Sequence, residues 1–192
     1  MAVTKLASTT DVEAALGRDL TTSETSKVGA ILDKASELFR SRSGQQFTAG
    51  TSEVRLKVTA DWVSLPQRPV VSVESVTVDE VSGAAIVFVL YQSRLTLTNV
   101  EAGDMVRVAY THGGTVPDLV RLTVADIARK ILSIDENAIA GLTQHSETVG
   151  PFTEQDTYAT WAQGGQTMLS PSDNAVADTF RVRSYGSIVM TP

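Results

Sequence analysis

Only a few residues in the chain have side chains suited to chemistry. His112 and His145 are its only imidazoles, and it has no cysteine. The missing thiols exclude a disulfide scaffold, a thiolate zinc site, an iron–sulfur cluster and a cysteine nucleophile, and two histidines do not make a multi-histidine metal centre. A lone histidine can still act as a general base, because its unperturbed pKa lies near neutrality. His112 stands at an expected strand end before Gly113 and Gly114, where a hydrogen-bonded turn histidine is the expectation. His145 has Glu147 two positions on, and a structural role is expected there too. Asp135 and Glu136 are adjacent carboxylates of the kind that activates water or holds magnesium, but with no second cluster they read as a solvated helix end. The glycine pairs 113–114 and 164–165 lack the lysine or helix start that phosphate binding requires, and no P-loop, dinucleotide, zincin or nucleophile-elbow pattern occurs. No catalytic, metal-binding or cofactor-binding residue is expected, and no cofactor. A small hydrolase using Asp135, Glu136 or His112 is the alternative from a different class.

Charge and hydropathy narrow the classes further. Sixteen basic residues against 22 acidic give a net charge of −6, the wrong sign for gripping nucleic acid over a broad basic face. Mean hydropathy is +0.02, as in a soluble globular protein. The longest uninterrupted apolar run, Ala84 to Tyr91, is far shorter than the roughly 20 residues that span a bilayer, so no membrane partner is expected. Met1 to Leu6 has one lysine and no apolar stretch, so no secretory leader is expected and the chain reads as intracellular.

The elements that would position these residues follow from the patterning. Thr10 with Glu13 has capping-box spacing, and Gly17 is suited to close a short helix. A second box, Thr21 with Glu24, opens a longer one. Val28, Ile31, Leu32, Ala35, Leu38 and Phe39 recur every three or four residues along it, and Gly44 stops it, which predicts a helix over Thr22 to Ser43. From Ser52 the period becomes two. Val54, Leu56 and Val58 alternate with charged residues as in a strand with one buried face. Trp62 to Leu65 is a short apolar stretch ended by Pro66. Val71 and Val73 are out of step with Val76 and Val78, which means either a bulge or two strands. Ile86 to Tyr91 and Leu95 to Thr98 flank a connection at Gln92, Ser93 and Arg94 and predict a hairpin, and Met105 to Tyr110 completes the strands. Pro117 suits the first position of a helix. That helix carries one stripe of Val120, Val124, Ile127, Ile131 and Ile134, and beside it a second of Leu122, Ala125, Ala128 and Leu132. Two stripes imply burial on more than one side, against the Val28–Phe39 face and then against the sheet or another subunit.

Residues 141 to 192 differ in character. They hold seven charges, five glycines and thirteen serines or threonines, yet keep fourteen large apolar side chains. A disordered tail would be charged and poor in aromatics, so this segment reads as an extended arm ordered by docking. Its aromatics Phe152, Tyr158, Trp161, Phe180 and Tyr185 are candidate anchors in a partner's pockets, since Arg181 and Arg183 are too few cations for a single-strand groove. Ser170 to Arg181 has a proline and an acidic first turn and predicts a short helix within it. The fold class is thus α+β. A helical core over 1–51 and 115–141, of two N-terminal helices and one long central helix, carries an inserted antiparallel β module over 52–114 and the arm over 142–192.

Several stretches, taken in this order, resemble the head-tail connector (head-completion adaptor) proteins of long-tailed bacteriophages. They are Thr10-Asp11-Val12-Glu13-Ala14-Ala15-Leu16-Gly17-Arg18, the helix carrying Ala35-Ser36-Glu37-Leu38-Phe39-Arg40 and ending before Phe47, the strand Val106-Arg107-Val108-Ala109-Tyr110-Thr111-His112-Gly113-Gly114, the helix from Val116-Pro117 through Ala125-Asp126-Ile127-Ala128-Arg129, and Glu147-Thr148-Val149-Gly150-Pro151-Phe152. The resemblance implies a structural virion protein of the neck, assembled in the host cytoplasm as a dodecameric ring on the portal protein. Such a ring extends the DNA channel, lets double-stranded DNA pass without specific binding, and offers the docking surface for the stopper or tail-completion protein. A stopper or tail terminator is the neighbouring alternative. The two stripes of the Pro117 helix suit a protomer with neighbours on both sides, which makes Val120, Val124, Ile127 and Ile131 the expected ring-interface residues.

Overall fold

The computed structural model describes residues 4–78, 86–134, 144–149, 152–157 and 167–182. The chain divides into two compact units. Unit 1 comprises Met1–Arg42 and Pro117–Thr179, and unit 2 comprises Ser43–Val116 and Phe180–Pro192.

Unit 1 is built from helices. Helix α1, Thr9–Leu16, starts on a reciprocal cap: Asp11 N–H donates to Ser8 Oγ at 3.2 Å, and Ser8 N–H donates to Asp11 Oδ2 at 2.8 Å. The box lies two residues earlier than the expected Thr10–Glu13 pair. Ser8 has the extended backbone a cap needs (φ −96°, ψ 167°), whereas Thr10 is already inside the helix. Glu13 is used elsewhere, its Oε1 accepting the Leu20 N–H at 3.4 Å. Gly17 ends the helix in the left-handed conformation.

Helix α2 runs from Thr22 to Ser43, as its pattern predicts. Thr21 Oγ1 accepts the Glu24 N–H and Glu24 Oε2 accepts the Thr21 N–H, so the second box forms, and Gly44 takes φ 70° beyond the last turn. Val28, Leu32, Ala35 and Phe39 are buried, while Ile31 and Leu38 at the edges of the stripe are half-buried. Two polar residues on the buried side are occupied by the N-terminal segment: Ser36 Oγ accepts the Leu6 N–H at 3.0 Å, and Arg40 donates to the Thr4 carbonyl.

Helix α3, Asp118–Leu132, begins one residue after Pro117, which is its cap rather than its first residue. Pro117 has ψ 140°, an extended value, while its carbonyl accepts the Arg121 N–H at 3.0 Å. Helix α3 packs against α1 and against α4, Pro171–Thr179. Helix α4 opens on a further box, Ser170 with Asp173, in which Asp173 N–H donates to Ser170 Oγ and Ser170 N–H to Asp173 Oδ2. It is tied to α3 by Lys130, whose Nζ lies 3.0 Å from Asp173 Oδ1 and 2.9 Å from Asp126 Oδ2, and to α2 by an Arg42–Asp178 pair. Of the span expected to be an extended arm, the described residues thus include a helix docked in unit 1. They also include an antiparallel hairpin of strands β7, Gln144–Val149, and β8, Phe152–Thr157.

Unit 2 is an antiparallel β module with two three-stranded sheets. One has the order β1 (Gly50–Lys57), β6 (Met105–His112), β3 (Val70–Val78). The other has the order β2 (Trp62–Ser64), β5 (Arg94–Leu97), β4 (Phe88–Tyr91). Strand β3 is one strand with two irregularities, between Val70 and Ser72 and between Val73 and Ser75, which accounts for the slipped valine parity. The hairpin from β4 to β5 turns on Gln92 and Ser93, and Gln92 takes φ 56°. Alternation buries Leu56, Val58, Val63, Val76, Leu95, Leu97, Val106, Val108 and Tyr110 in one core. The turns are tied by two glutamines. Gln45 Oε1 accepts the Arg68 N–H and its Nε2 donates to the Pro66 carbonyl, while Gln67 Oε1 accepts the Gln46 N–H and its Nε2 donates to the Gly44 carbonyl.

Candidate functional site

His112 closes strand β6 opposite Gly50 of β1 and Val70 of β3 and is only 4% exposed. Its Nε2 lies 2.8 Å from Ser52 Oγ, its ring leans on Tyr110 with centroids 5.6 Å apart, and its Nδ1 has no hydrogen-bond partner. Burial pushes its pKa below the ordinary value of 6.5, and no charged group among the described residues offsets that. A donor Nε2–H toward Ser52 leaves Nδ1 as a bare acceptor, the cheaper of the two orphans. The group is a sealed part of the strand-end packing, which agrees with a structural histidine. Tyr110 is fully buried, its hydroxyl accepts the Gln67 N–H at 3.0 Å, and burial raises its pKa.

Gly113 is required by the backbone beside it. It sits at φ 78°, and a Cβ built there would stand 2.0 Å from the Thr48 carbonyl oxygen. Thr48 bridges to Gly114, and the Gly113 N–H donates to the Pro69 carbonyl at 2.9 Å. This glycine pair is a close chain crossing.

His145 and Glu147 lie on β7, opposite Asp156 and Glu154 of β8 in the ladder. Asp135, Glu136 and the 164–165 pair lie outside the described residues. Among the described residues no group of three or more histidines, aspartates and glutamates could hold a metal ion, and no helix is long and apolar enough to cross a membrane.

The candidate partner residues fall in several environments. Phe152 opens β8 opposite Val149, and Tyr158, Trp161 and Tyr185 lie outside the described residues. Phe180 meets the Phe47 ring edge-on, centroids 5.4 Å apart at 84°, so part of its surface is covered by its own unit. Val120, Val124 and Ile127 are buried within the protomer and Ile131 is half-buried. Buried side chains cannot face a neighbour. The apolar residues that α3 does present are Leu119, 52% exposed, and Leu122, 55% exposed. Of the second expected stripe Ala125 and Ala128 are buried and Leu132 is half-buried, while Leu122 faces outward.

One surface has no counterpart among those residues. Along the β4 segment Val87, Val89 and Tyr91 are 72%, 67% and 72% exposed, while Phe88 and Leu90 between them turn to the core. The register puts Val89 beside Thr96 and Trp62, and Tyr91 beside Arg94 and Ser64. The Arg94 guanidinium stacks over the Trp62 ring at 4.4 Å. The sign of this surface in the sequence is that Ile86 to Tyr91 is apolar at every position, where a strand with one solvated face would alternate.

No protein-family profile and no curated protein matches the chain. Among solved structures, it is similar to a chain of the neck of an empty GTA particle computed with C6 symmetry, with a TM-score of 0.53 and 15% identity over 98% of this chain and 97% of the other. It is also similar to a chain of the neck of a native GTA particle computed with C12 symmetry, with a TM-score of 0.47 and 14% identity over 98% of this chain and 100% of that one. The first likeness shows a shared α+β fold.

Proposed function

We propose that the chain is a structural component of the neck of a tailed-phage-like particle, a head-to-tail connector that forms a homo-oligomeric ring on the portal protein. The ring extends the DNA channel and presents the docking surface for the stopper and tail. The observation that carries this reading is end-to-end likeness in fold. The alignment with a neck chain covers 98% of this chain and 97% of the other, so the likeness spans nearly the whole chain rather than one common module. The order of elements in the sequence, which resembles phage connectors, points the same way.

Two properties of the chain support the reading. Among the described residues Asp11, Glu24 and Asp173 are engaged in both helix caps and ion pairs, and His112 is sealed in the packing. Its net charge of −6 supplies no broad basic grip, which suits a channel through which DNA must move, because strong phosphate contacts would hold the DNA in place.

The test is to mix the purified protein with portal particles and measure what binds by native mass and electron microscopy. A stoichiometric ring on the portal is expected, and absence of binding under assembly conditions contradicts the reading. A neck also contains stopper and tail-completion proteins, and a chain that binds tails but not portals belongs with those.

A further inference from the structure

The outer face of β2–β5–β4 carries its charge in two arginines with nothing to balance them. The three strands contain no acidic residue. Arg94 lies opposite Tyr91 on one side and Ser64 on the other, and Arg68 brings its Nη2 to 3.5 Å from Ser64 Oγ, so both guanidiniums belong to the same end of the face. Neither makes an ion pair among the described residues. Stacking on the Trp62 ring at 4.4 Å holds the plane of Arg94 in place and uses none of its N–H donors. Those donors form a planar fork that matches the two oxygens of one carboxylate.

Beside the arginines Val87, Val89 and Tyr91 stand exposed along β4. Tyrosine, tryptophan and arginine are the residue types that dominate binding energy at protein interfaces, and a fixed, unpaired cation next to apolar surface is complementary to a carboxylate set among apolar side chains. Size narrows the occupant. Three strands span about 10 Å and the row from Val87 to Tyr91 about 13 Å, room for one segment of a chain. A stable pair of domains buries roughly 800 Å² on each side. Nucleic acid fits less well, because two cations make few phosphate contacts and Arg94 takes the Trp62 ring face that a base would stack on. The exposed leucines of α3 do not supply the match from a second copy, since Asp118 and Asp126 near them are paired with Arg121, Arg129 and Lys130.

We infer that the outer face of β2–β5–β4 is a recognition site for an acidic segment of another protein, whose carboxylates meet Arg94 and Arg68 while its apolar side chains cover Val89 and Tyr91. The identity of that protein as a neighbour in the neck rests on the reading above. The chemistry of the site does not, because it follows from the two unpaired arginines and the apolar row beside them.

The test uses two variants of the full chain, each altered only at exposed positions. Arg68→Glu with Arg94→Glu reverses the charge, and Val89→Ser with Tyr91→Ser strips the apolar row. Melting temperatures close to the wild type establish that both are folded, and Arg68→Glu alone, outside the strands, replaces the first variant if the stacked pair is needed for folding. Portal particles and tails are the probes. Whichever the wild type binds, each double variant is expected to bind at least about tenfold more weakly. Wild-type binding is expected to weaken with added salt more steeply than that of the charge-reversed chain. Unchanged binding by the charge-reversed chain overturns the site and leaves the neck reading standing. Loss of self-assembly with particle binding intact gives the face to a second copy, and binding of a DNA oligonucleotide that depends on the two arginines gives it to nucleic acid; either result overturns the inference. A wild type that binds neither portal particles nor tails overturns the neck reading instead. The site is then decided by a peptide of alternating glutamate and leucine, followed through the Trp62 indole NMR signal. Tighter binding than its glutamine counterpart, lost in the charge-reversed chain, upholds the site, and no such difference overturns it.

Discussion

Replacing Gly113 with alanine places a methyl carbon 2.0 Å from the Thr48 carbonyl oxygen, 2.5 Å from its carbonyl carbon and 3.0 Å from the Ala49 nitrogen. All three are backbone atoms and cannot rotate away. Relief requires the 48–49 segment to move from β6, although Thr48 bridges to Gly114 and the Gly113 N–H is held by the Pro69 carbonyl. Overpacking of this kind costs about 1–3 kcal/mol. The positive φ of 78° adds about 1–2 kcal/mol for any residue with a Cβ. Together these give a loss of roughly 2–5 kcal/mol, and for a chain of this length that corresponds to a fall in melting temperature of roughly 5–15 °C. Gly17→Ala is the matched control, because Gly17 has φ 69° with nothing within 4 Å of a built Cβ and carries only the conformational cost. Scanning calorimetry of the two variants isolates the Thr48 contact as their difference. A Gly113→Ala variant no less stable than Gly17→Ala refutes the close crossing and reopens the glycine pair as a loop free to serve a ligand.

Acidification should destabilise the protein through His112. Its folded pKa lies below its unfolded value, so the folded state binds the proton less readily, and stability is present above the unfolded value near 6.5 and is lost as pH falls through the folded one. Urea titrations between pH 8 and pH 5 should show this slope, and His112→Gln should flatten it; an unchanged slope refutes the assignment. Ser8→Ala should cost about 1 kcal/mol while Thr10→Ala is nearly neutral, because Ser8 is the cap; equal effects would restore the Thr10 box. Asp173→Ala should cost roughly 2 kcal/mol by removing the carboxylate that accepts the Ser170 N–H and the Lys130 ammonium together, read from the shift in urea midpoint, and an unchanged midpoint shows that α4 is not docked.

Local chemistry decided how much of this was legible in the residues. Helix α2 was readable at both ends because Thr21, Glu24 and Gly44 act on their own neighbours and the apolar stripe between them is continuous. The first cap lies two residues before the expected one because Ser8 and Thr10 both offer a hydroxyl, and only the path of the chain before α1 selects between them. The slipped valines of β3 could mean a bulge or two strands until β6 supplied a single partner along their whole length. Helix α4 was legible from Ser170, Pro171 and Asp173, but its docking through Lys130 joins residues 43 positions apart, beyond any local pattern. The stripes of α3 gave its helical period without saying which side of the helix is inside. Ala125 and Ala128 are small enough to be buried against a neighbouring element, whereas Leu122 stands outward. The exposed face on β4 was hidden for the opposite reason, since an unbroken apolar run reads as interior and only the register separates Phe88 and Leu90 from Val87, Val89 and Tyr91.

The central claim is that this chain functions as a ring seated on a portal. The most direct measurement is the mass and symmetry of the protein bound to purified portal particles, by native mass spectrometry and electron microscopy. The account predicts a closed ring of identical copies, a dodecamer as in the connectors the sequence resembles, with one ring per portal. Portal particles that emerge bare after mixing under assembly conditions, or that carry single copies without closure, contradict it.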